Sequence, residues 1–578
     1  MRTSGAATRP LPRLPVGWAG RALVACIVSS FVAPAGADLL PSVRSRSEER
    51  KFLRAPDVPD DASLESSGAV IGQVRYLRLN VFDPTIAEED TSLFRLANRI
   101  HIVTRASTVA AQLLFRPGDR YDARLLSESE RILRANDYLA DAHIRPVAYR
   151  DGVVDIEVVT QDTWTLKPEV SFGRKGGKNS SGVGLEERNL FGTGTQLAVT
   201  SKSSVDRHTK LLEFSNPNLL ESRWQLAAQY ADNSDGKAHA FNLERPFYAL
   251  DSRWTAGIEL RNERRIDSVY DYGRIIDRFQ THERVETAYA GWSAGLHEGW
   301  VTRWTGGVTS DERHASPPAD ANTAGPLPPD RKLVYPWVGI EVVEDDFRET
   351  RNLNQISRTE DLALGWDAKL RVGAATSAFG SDRDATVFDA SVSKGFEPDE
   401  RQTLLLSGSA TGRIAHGAFD DSLFGVAARY YWRQTSRRAL FLGLAVDRGV
   451  HLDLDRQLTL GGDNGLRGYP LRYRTGQGRW LFTAEERVFT DWYPFRLFNI
   501  GGAVFYDMGR TWGANSVQVP PPPTSKQGGV LSDVGVGLRL GNSRSAIGSV
   551  VHVDVSHPIN GDPSIRKFQF TVEAKRSF

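Results

Sequence analysis

The chain has 578 residues, 25% of them charged and 10% aromatic, with a formal net charge of +1 and a negative mean hydropathy. That balance gives no basis for a nucleic-acid or strongly acidic partner, and a soluble chain of this length would be expected to split into several domains. Cys26 is the only cysteine, so the rest of the chain can hold neither a disulfide framework nor a cysteine metal site.

Arg2, Arg9, Arg13 and Arg21 precede an apolar stretch, Ala22 to Ala35, which ends in Pro34-Ala35-Gly36-Ala37. A basic region, an apolar core and a small-residue exit identify residues 1–37 as a secretory signal cut near Ala37 and Asp38. Leu23-Val24-Ala25-Cys26 is lipoprotein-like, but Arg21 leaves it no apolar core upstream. Residues 38–68 are polar and read as a flexible lead-in. From 69 to 162 strands and helices mix. Val70 to Leu79 begins as an alternating strand, and Ser92 to His101 has helical spacing of Leu93, Leu96, Ala97 and Ile100. Ala123 to Leu139 repeats that spacing, and strands at Ala142 to Val147 and Val153 to Val159 flank an Asp151-Gly152 turn. This is a small α/β domain of a size that folds alone.

Beyond residue 165 the helical spacing disappears. Val426, Ala428, Tyr430 and Trp432 alternate with Ala427, Arg429, Tyr431 and Arg433, and Val551, Val553 and Val555 alternate with His552, Asp554 and Ser556. One apolar face and one polar face are what lipid outside and water inside demand, and closure removes sheet edges that hydrocarbon cannot satisfy. The predicted fold is therefore mainly β: a transmembrane antiparallel barrel over 163–578, preceded by the α/β domain. Its about 410 residues, at about 10 per strand plus connections, fit about 14 to 18 strands. Thr309 to Lys332 and the Pro520–Pro523 run are expected as long outer connections, and Glu397 to Glu400 as a short periplasmic one.

Three segments resemble one superfamily of outer-membrane barrels, the BamA, TamA and FhaC-like proteins that insert or export polypeptides. Residues 107–160, with Phe115-Arg116-Pro117-Gly118-Asp119-Arg120-Tyr121 and Ser129 to Arg134, resemble its last polypeptide-transport-associated (POTRA) domain. Gly182 to Gly194, including Asn189, Gly192 and Gly194, resembles its first barrel hairpin. Leu466-Arg467-Gly468-Tyr469 resembles the loop motif that folds back into the lumen. The resemblance implies sixteen strands, a last strand through Phe570 that ends on Phe578, and a periplasmic N-terminal domain in a bacterial outer membrane. It also implies lateral opening between the first and last strands, Leu166–Arg174 and Lys567–Phe578. One POTRA copy is found where these relatives carry several or two. Arg576 stands where the last strand should be apolar.

Arg467 needs a carboxylate on the lumen wall. Alternation through Ala503 to Gly509 puts Asp507 inward, and the resemblance implies that this aspartate pairs with the loop arginine. Glu485 has the same inward parity and is the second candidate. No hydrolytic elbow, phosphate loop or zinc-binding helix is found, and His101, His143, His208, His239 and His416 are scattered as ordinary polar residues. No cofactor, metal, enzymatic activity or nucleic-acid partner is expected. The expected partners are the outer-membrane lipid bilayer and unfolded or extended polypeptide clients, with periplasmic chaperones or accessory proteins as further candidates. What the resemblance implies is insertion of barrel proteins or assistance in their assembly. The alternatives are a dedicated exporter of one secreted polypeptide, and a passive pore or surface antigen.

Overall fold

The computed structural model describes residues 54–318, 327–356, 358–513, 529–542, 544 and 550–575. The expected signal with Cys26, residues 38–53 of the lead-in, the Pro520–Pro523 run, Arg576 and Phe578 lie outside the described residues. Among the described residues no helix is long and apolar enough to cross a membrane.

The N-terminal unit opens with α1 (Asp61–Ser66), started by an Asp60 side chain that accepts the Ser63 N–H at 2.8 Å. It continues through β1 (Val70–Leu79), α2 (Ser92–Ile100), α3 (Ala106–Ala110), α4 (Ala123–Arg134), β2 (Leu139–Arg150) and β3 (Val153–Asp162). The sheet order is β1-β3-β2, with β1 parallel to β3 and β2 antiparallel to it. Leu139, whose spacing continues that of α4, is the first residue of β2 instead. The helix stops at Arg134, and a turn through Asn136 and Asp137 redirects the chain. Pro146, which has no N–H for the ladder, sits at a register irregularity. Leu64, Ile71, Val109, Phe115, Leu126, Leu133 and Ile156 fill one core beneath the sheet.

Three residues after β3 the barrel begins. It is closed and has 20 strands, from Leu166–Lys175 to Gln569–Lys575. Neither the sixteen implied by resemblance nor the range of 14 to 18 from length is correct. The difference arises early: six strands of 9 to 13 residues fit between Leu166 and Arg245. Tight turns at 176–177 and 234–235 leave little chain for connections. Thr309 to Ser316 is wall as well, since Trp300–Ser316 pairs with Arg331–Glu344 up to Arg313 and Arg331. The turn near Glu397 is tighter than expected, as strand Ala385–Asp399 runs to Asp399 before Glu400-Arg401.

Side chains alternate across the wall. Leu481, Thr483, Glu485 and Arg487 are buried on the inner face of Gly478–Phe489. Val170, Phe172, Trp292, Trp304, Val338 and Trp432 are exposed on the outer face. Closure is uneven. The first two strands share ten registered pairs, whereas among the described residues the last strand meets the first through one, Val572 with Arg174. Lys175 and Glu573 form an ion pair across this seam.

The joint between unit and barrel is built on Asp162. Its carboxylate accepts the Thr104 N–H at 2.7 Å and the Thr104 hydroxyl at 3.0 Å, with His101 Nε2 3.7 Å away. His101 is thus a buried residue of the joint, and not the surface residue its scattered context suggests. Burial pushes the Asp162 carboxyl up to about 7 and the His101 imidazole down. Because folding raises Asp162, its contribution is complete below its unfolded value of 3.8 and is lost as pH rises through about 7. His101 acts in reverse, losing its contribution as pH falls below 6.5. Protease protection of residues 163–165 is therefore expected to weaken as pH rises from about 4 to 7 and to change little above that, and Asp162→Asn to abolish that dependence. An unchanged pH profile in the variant would contradict the assignment.

Candidate functional site: a buried arginine between loop and wall

Between strands Arg438–Val450 and Gly478–Phe489 the chain leaves the wall and enters the lumen. A short antiparallel pair, Leu458–Leu460 with Arg474–Gly476, draws the two arms of this loop together. Asn464 fixes the turn by accepting the Gly461 N–H at 2.7 Å and donating to the Thr459 carbonyl at 2.9 Å. Gly468 lies so close to the wall that a Cβ there would sit 2.6 Å from the Asp533 Cβ. Only glycine permits this approach.

The approach delivers Arg467. Its Nε and Nη2 donate to the two Asp507 oxygens at 2.7 and 3.0 Å, and Nη1 donates to Glu485 Oε2 at 2.9 Å. The guanidinium carbon lies 3.3 Å from the centre of the Phe505 ring. Arg467, Glu485 and Asp507 are 8%, 4% and 0% exposed. This is a fork-to-carboxylate contact with a second acceptor, a geometry that lysine cannot reproduce. Tyr469 is fully buried beside it. Its hydroxyl accepts the Ser532 N–H at 3.1 Å and lies 2.8 Å from Asn560 Oδ1.

The cluster extends further than parity in one strand suggests. Arg487 donates to Glu485 Oε1 at 3.1 Å, Arg539 lies 3.4 Å from Glu485 and pairs with Asp554, and Asp554 lies 3.6 Å from Arg467. Arg539 and Asp554 were detectable, since both occupy the polar parity of alternating strands. At the loop's outer end Asp453 pairs with Arg331 at 2.9 Å and Arg413 at 3.1 Å. Arg472 grips Asp206 through two 2.7 Å contacts.

A second segment enters from the opposite end. Between strands Arg331–Glu344 and Asp367–Ala375 the chain forms a hairpin, Phe347–Arg351 with Thr359–Ala363. Its tip packs on the inner wall: Leu353 among Tyr431 and Phe441, and Ile356 among Ala439, Phe489, Ala503 and Val550. Arg487 donates to the Leu353 carbonyl at 2.9 Å. The base of the hairpin is held by α4, where Arg134 makes a two-pronged contact with Asp361 at 2.9 and 2.6 Å and reaches Glu349 at 2.6 Å. Arg358 also donates to the Leu139 carbonyl at 3.1 Å. Contacts thus run unbroken from α4 through the hairpin to Arg487, Glu485 and Arg467. No sequence signal distinguishes this hairpin from a surface connection, because its direction is set only by the wall it meets.

The glycine motif at 182–194 is placed differently from expectation. The first hairpin turns at residues 176–177, and Asn189, Gly192 and Gly194 form the turn that leads out of its second strand. That turn docks on the N-terminal unit. Asn189 donates to Thr104 Oγ1 at 2.9 Å and accepts the Gly194 N–H at 2.7 Å, while the Gly192 carbonyl accepts the Arg105 N–H at 2.9 Å. A Cβ at Gly194 would meet the Tyr138 ring at 2.6 Å. Phe570 is partly exposed on the last strand beside the seam.

Fold and site define a wide closed β-barrel that holds a loop arginine in its lumen and carries an α/β unit at one rim. No family model matches the sequence, and no curated protein matches it. The chain is similar to the crystal structure of BamA from Haemophilus ducreyi lacking POTRA domains 1-3, with 12% identity and a TM-score of 0.36 over 88% of this chain and 85% of that one. It is similar to CdiB from Escherichia coli, with 13% identity and a TM-score of 0.45 over 89% and 77%. The FrpB iron transporter from Neisseria meningitidis gives 8% and 0.37 over 76% and 88%. At these values the likeness is one of barrel form.

Removing one member of a buried ion pair strands its partner and costs about 3–5 kcal/mol. Arg467→Ala is expected to leave the barrel closed, because its ladders are untouched, but to free the loop. Trypsin added to intact cells should then cut at Arg472 or Arg474, and Arg467→Lys should protect only partly. Arg134→Ala is expected to release the hairpin base and raise single-channel conductance in planar bilayers. Unchanged conductance would show that the tip holds its place without α4.

Proposed function

We propose that this chain is an outer-membrane barrel that inserts other barrel proteins into the membrane, or assists their assembly. In this reading the N-terminal unit is a POTRA-type domain in the periplasm that receives extended polypeptide. The observation that carries it is the seam. Among the described residues a single registered pair joins the first and last strands, against ten between the first strand and the second. Unpaired strand amides are a template for strand addition, and backbone pairing makes little demand on client sequence. Among the described residues the seam has the shortest ladder of the wall, and in this reading it is where the wall opens.

A second reading, dedicated export of one polypeptide through the lumen, is supported by the two inserted segments. Both the Arg467 loop and the 347–363 hairpin are fixed by ion pairs that can re-form, as a route that opens and closes requires. Proteomics of outer membrane and culture medium after depletion separates the readings. A joint fall of many barrel proteins is expected for insertion, and the loss of one secreted polypeptide alone for export. A disulfide between cysteines placed at 174 and 572 should block insertion and spare export. If depletion changes neither fraction, both readings fail.

A further inference from the structure

The helix α2 presents its apolar side to the outside. Phe94 points inward and stacks on Phe82 with ring centres 4.1 Å apart, Ala97 packs against the same cluster, and Asn98 bonds both polar groups of the Phe82 backbone. These contacts satisfy the inner face. Leu93, Leu96 and Ile100 share the opposite face and are 68%, 52% and 60% exposed, and Ile102 follows at 52%. Arg95 and Arg99 border that stripe and are also exposed. A cluster of large apolar side chains beside arginines is costly in water and suited to a lipid boundary, where the stems lie in the acyl region and the charged heads reach the headgroups.

The position of α2 indicates what covers this face. The segment is fastened to the barrel rim by Arg544, which donates to the Val81 carbonyl at 3.0 Å and pairs with Glu89, and by Arg496, 3.1 Å from Glu88. Leu497 of the same rim turn joins the cluster of Phe82, Phe94 and Trp164. That turn, 490–497, joins two strands whose last and first outward residues, Val488 and Phe498, are exposed on the lipid side. Within it Trp492 and Phe495 are 66% and 80% exposed. The apolar side of α2 is thus anchored next to a rim turn rich in exposed aromatics, and it continues the outer belt of the barrel.

We propose that α2 lies in the inner surface of the same bilayer leaflet that surrounds the barrel rim, with Leu93, Leu96, Ile100 and Ile102 in lipid and Arg95 and Arg99 at the phosphates. The N-terminal unit then has two attachments, one to the barrel and one to the membrane, and this holds whichever polypeptide the barrel handles. It rests on the barrel being membrane-embedded and on nothing else in the proposed function.

Full-length protein with Cys26 replaced by serine has no thiol, so single cysteines can be spin-labelled cleanly. Labels at 93, 96 and 100 would be read in vesicles of phosphatidylethanolamine and phosphatidylglycerol, comparing relaxation by oxygen with relaxation by a water-soluble nickel chelate. A label at Val338, on the outer wall, reports lipid, and one at Ser66, exposed on α1, reports water. The expected result is an oxygen-to-nickel ratio at 96 and 100 that matches Val338 and stands several-fold above Ser66. A ratio like that of Ser66 places the face in water and overturns the proposal. Low accessibility to both reagents overturns it too, showing a protein cover from another part of the chain or a second copy. If Val338 itself reads water, the barrel is not embedded, and that failure belongs to the proposed function.

Discussion

A guanidinium sealed between carboxylates organises the interior of this protein. Arg467 is anchored by Asp507 and Glu485, and Glu485 is in turn shared with Arg487 and Arg539. Such a cluster is stable only when every member is present, since removing any one leaves an uncompensated charge in a low-dielectric site. The loop is therefore held in one place by strong, directional contacts and by an apolar cluster in which Leu460, Leu466, Tyr469 and Tyr473 pack on Leu481 and Leu531 of the wall.

The same cluster is where the two inserted segments meet. The loop enters from one end and the 347–363 hairpin from the other, and Arg487 touches both, through Glu485 and through the Leu353 carbonyl. The far end of the hairpin is tied to Arg134 on α4. Ion pairs and hydrogen bonds thus connect the N-terminal unit to the cluster in the lumen. The four wall strands that carry Glu485, Asp507, Arg539 and Asp554 lie next to the last strand, so lock and seam are neighbours.

Much of this was legible in the chain. Period-two alternation with an apolar outer face required a closed barrel, because open edges cannot exist in lipid. Parity within Ala503 to Gly509 was sufficient to aim Asp507 inward, and parity at Glu485 aimed the second acceptor. The strand count was not legible, because alternation does not say where a tight turn falls, and six short strands near the start occupy a length that four average ones with loops would fill. The helical spacing of Leu93, Leu96, Ala97 and Ile100 placed a helix at α2 but did not say which way its apolar side faces. The structure turns Leu93, Leu96 and Ile100 outward, since Phe94, Ala97 and Asn98 already complete the inner contacts.

The sequence by itself determined the class of architecture, the order of an α/β unit before a barrel, and the residue types of the lock, because these follow from local periodicity and from the chemistry of single side chains. Tertiary structure alone decided which partners those side chains meet. Arg134 with Asp361, Arg487 with Leu353, Thr104 with both Asp162 and Asn189, and Val572 with Arg174 all join residues far apart in the chain. No local pattern encodes such distances; they are fixed only when twenty strands close and two segments fold back inside.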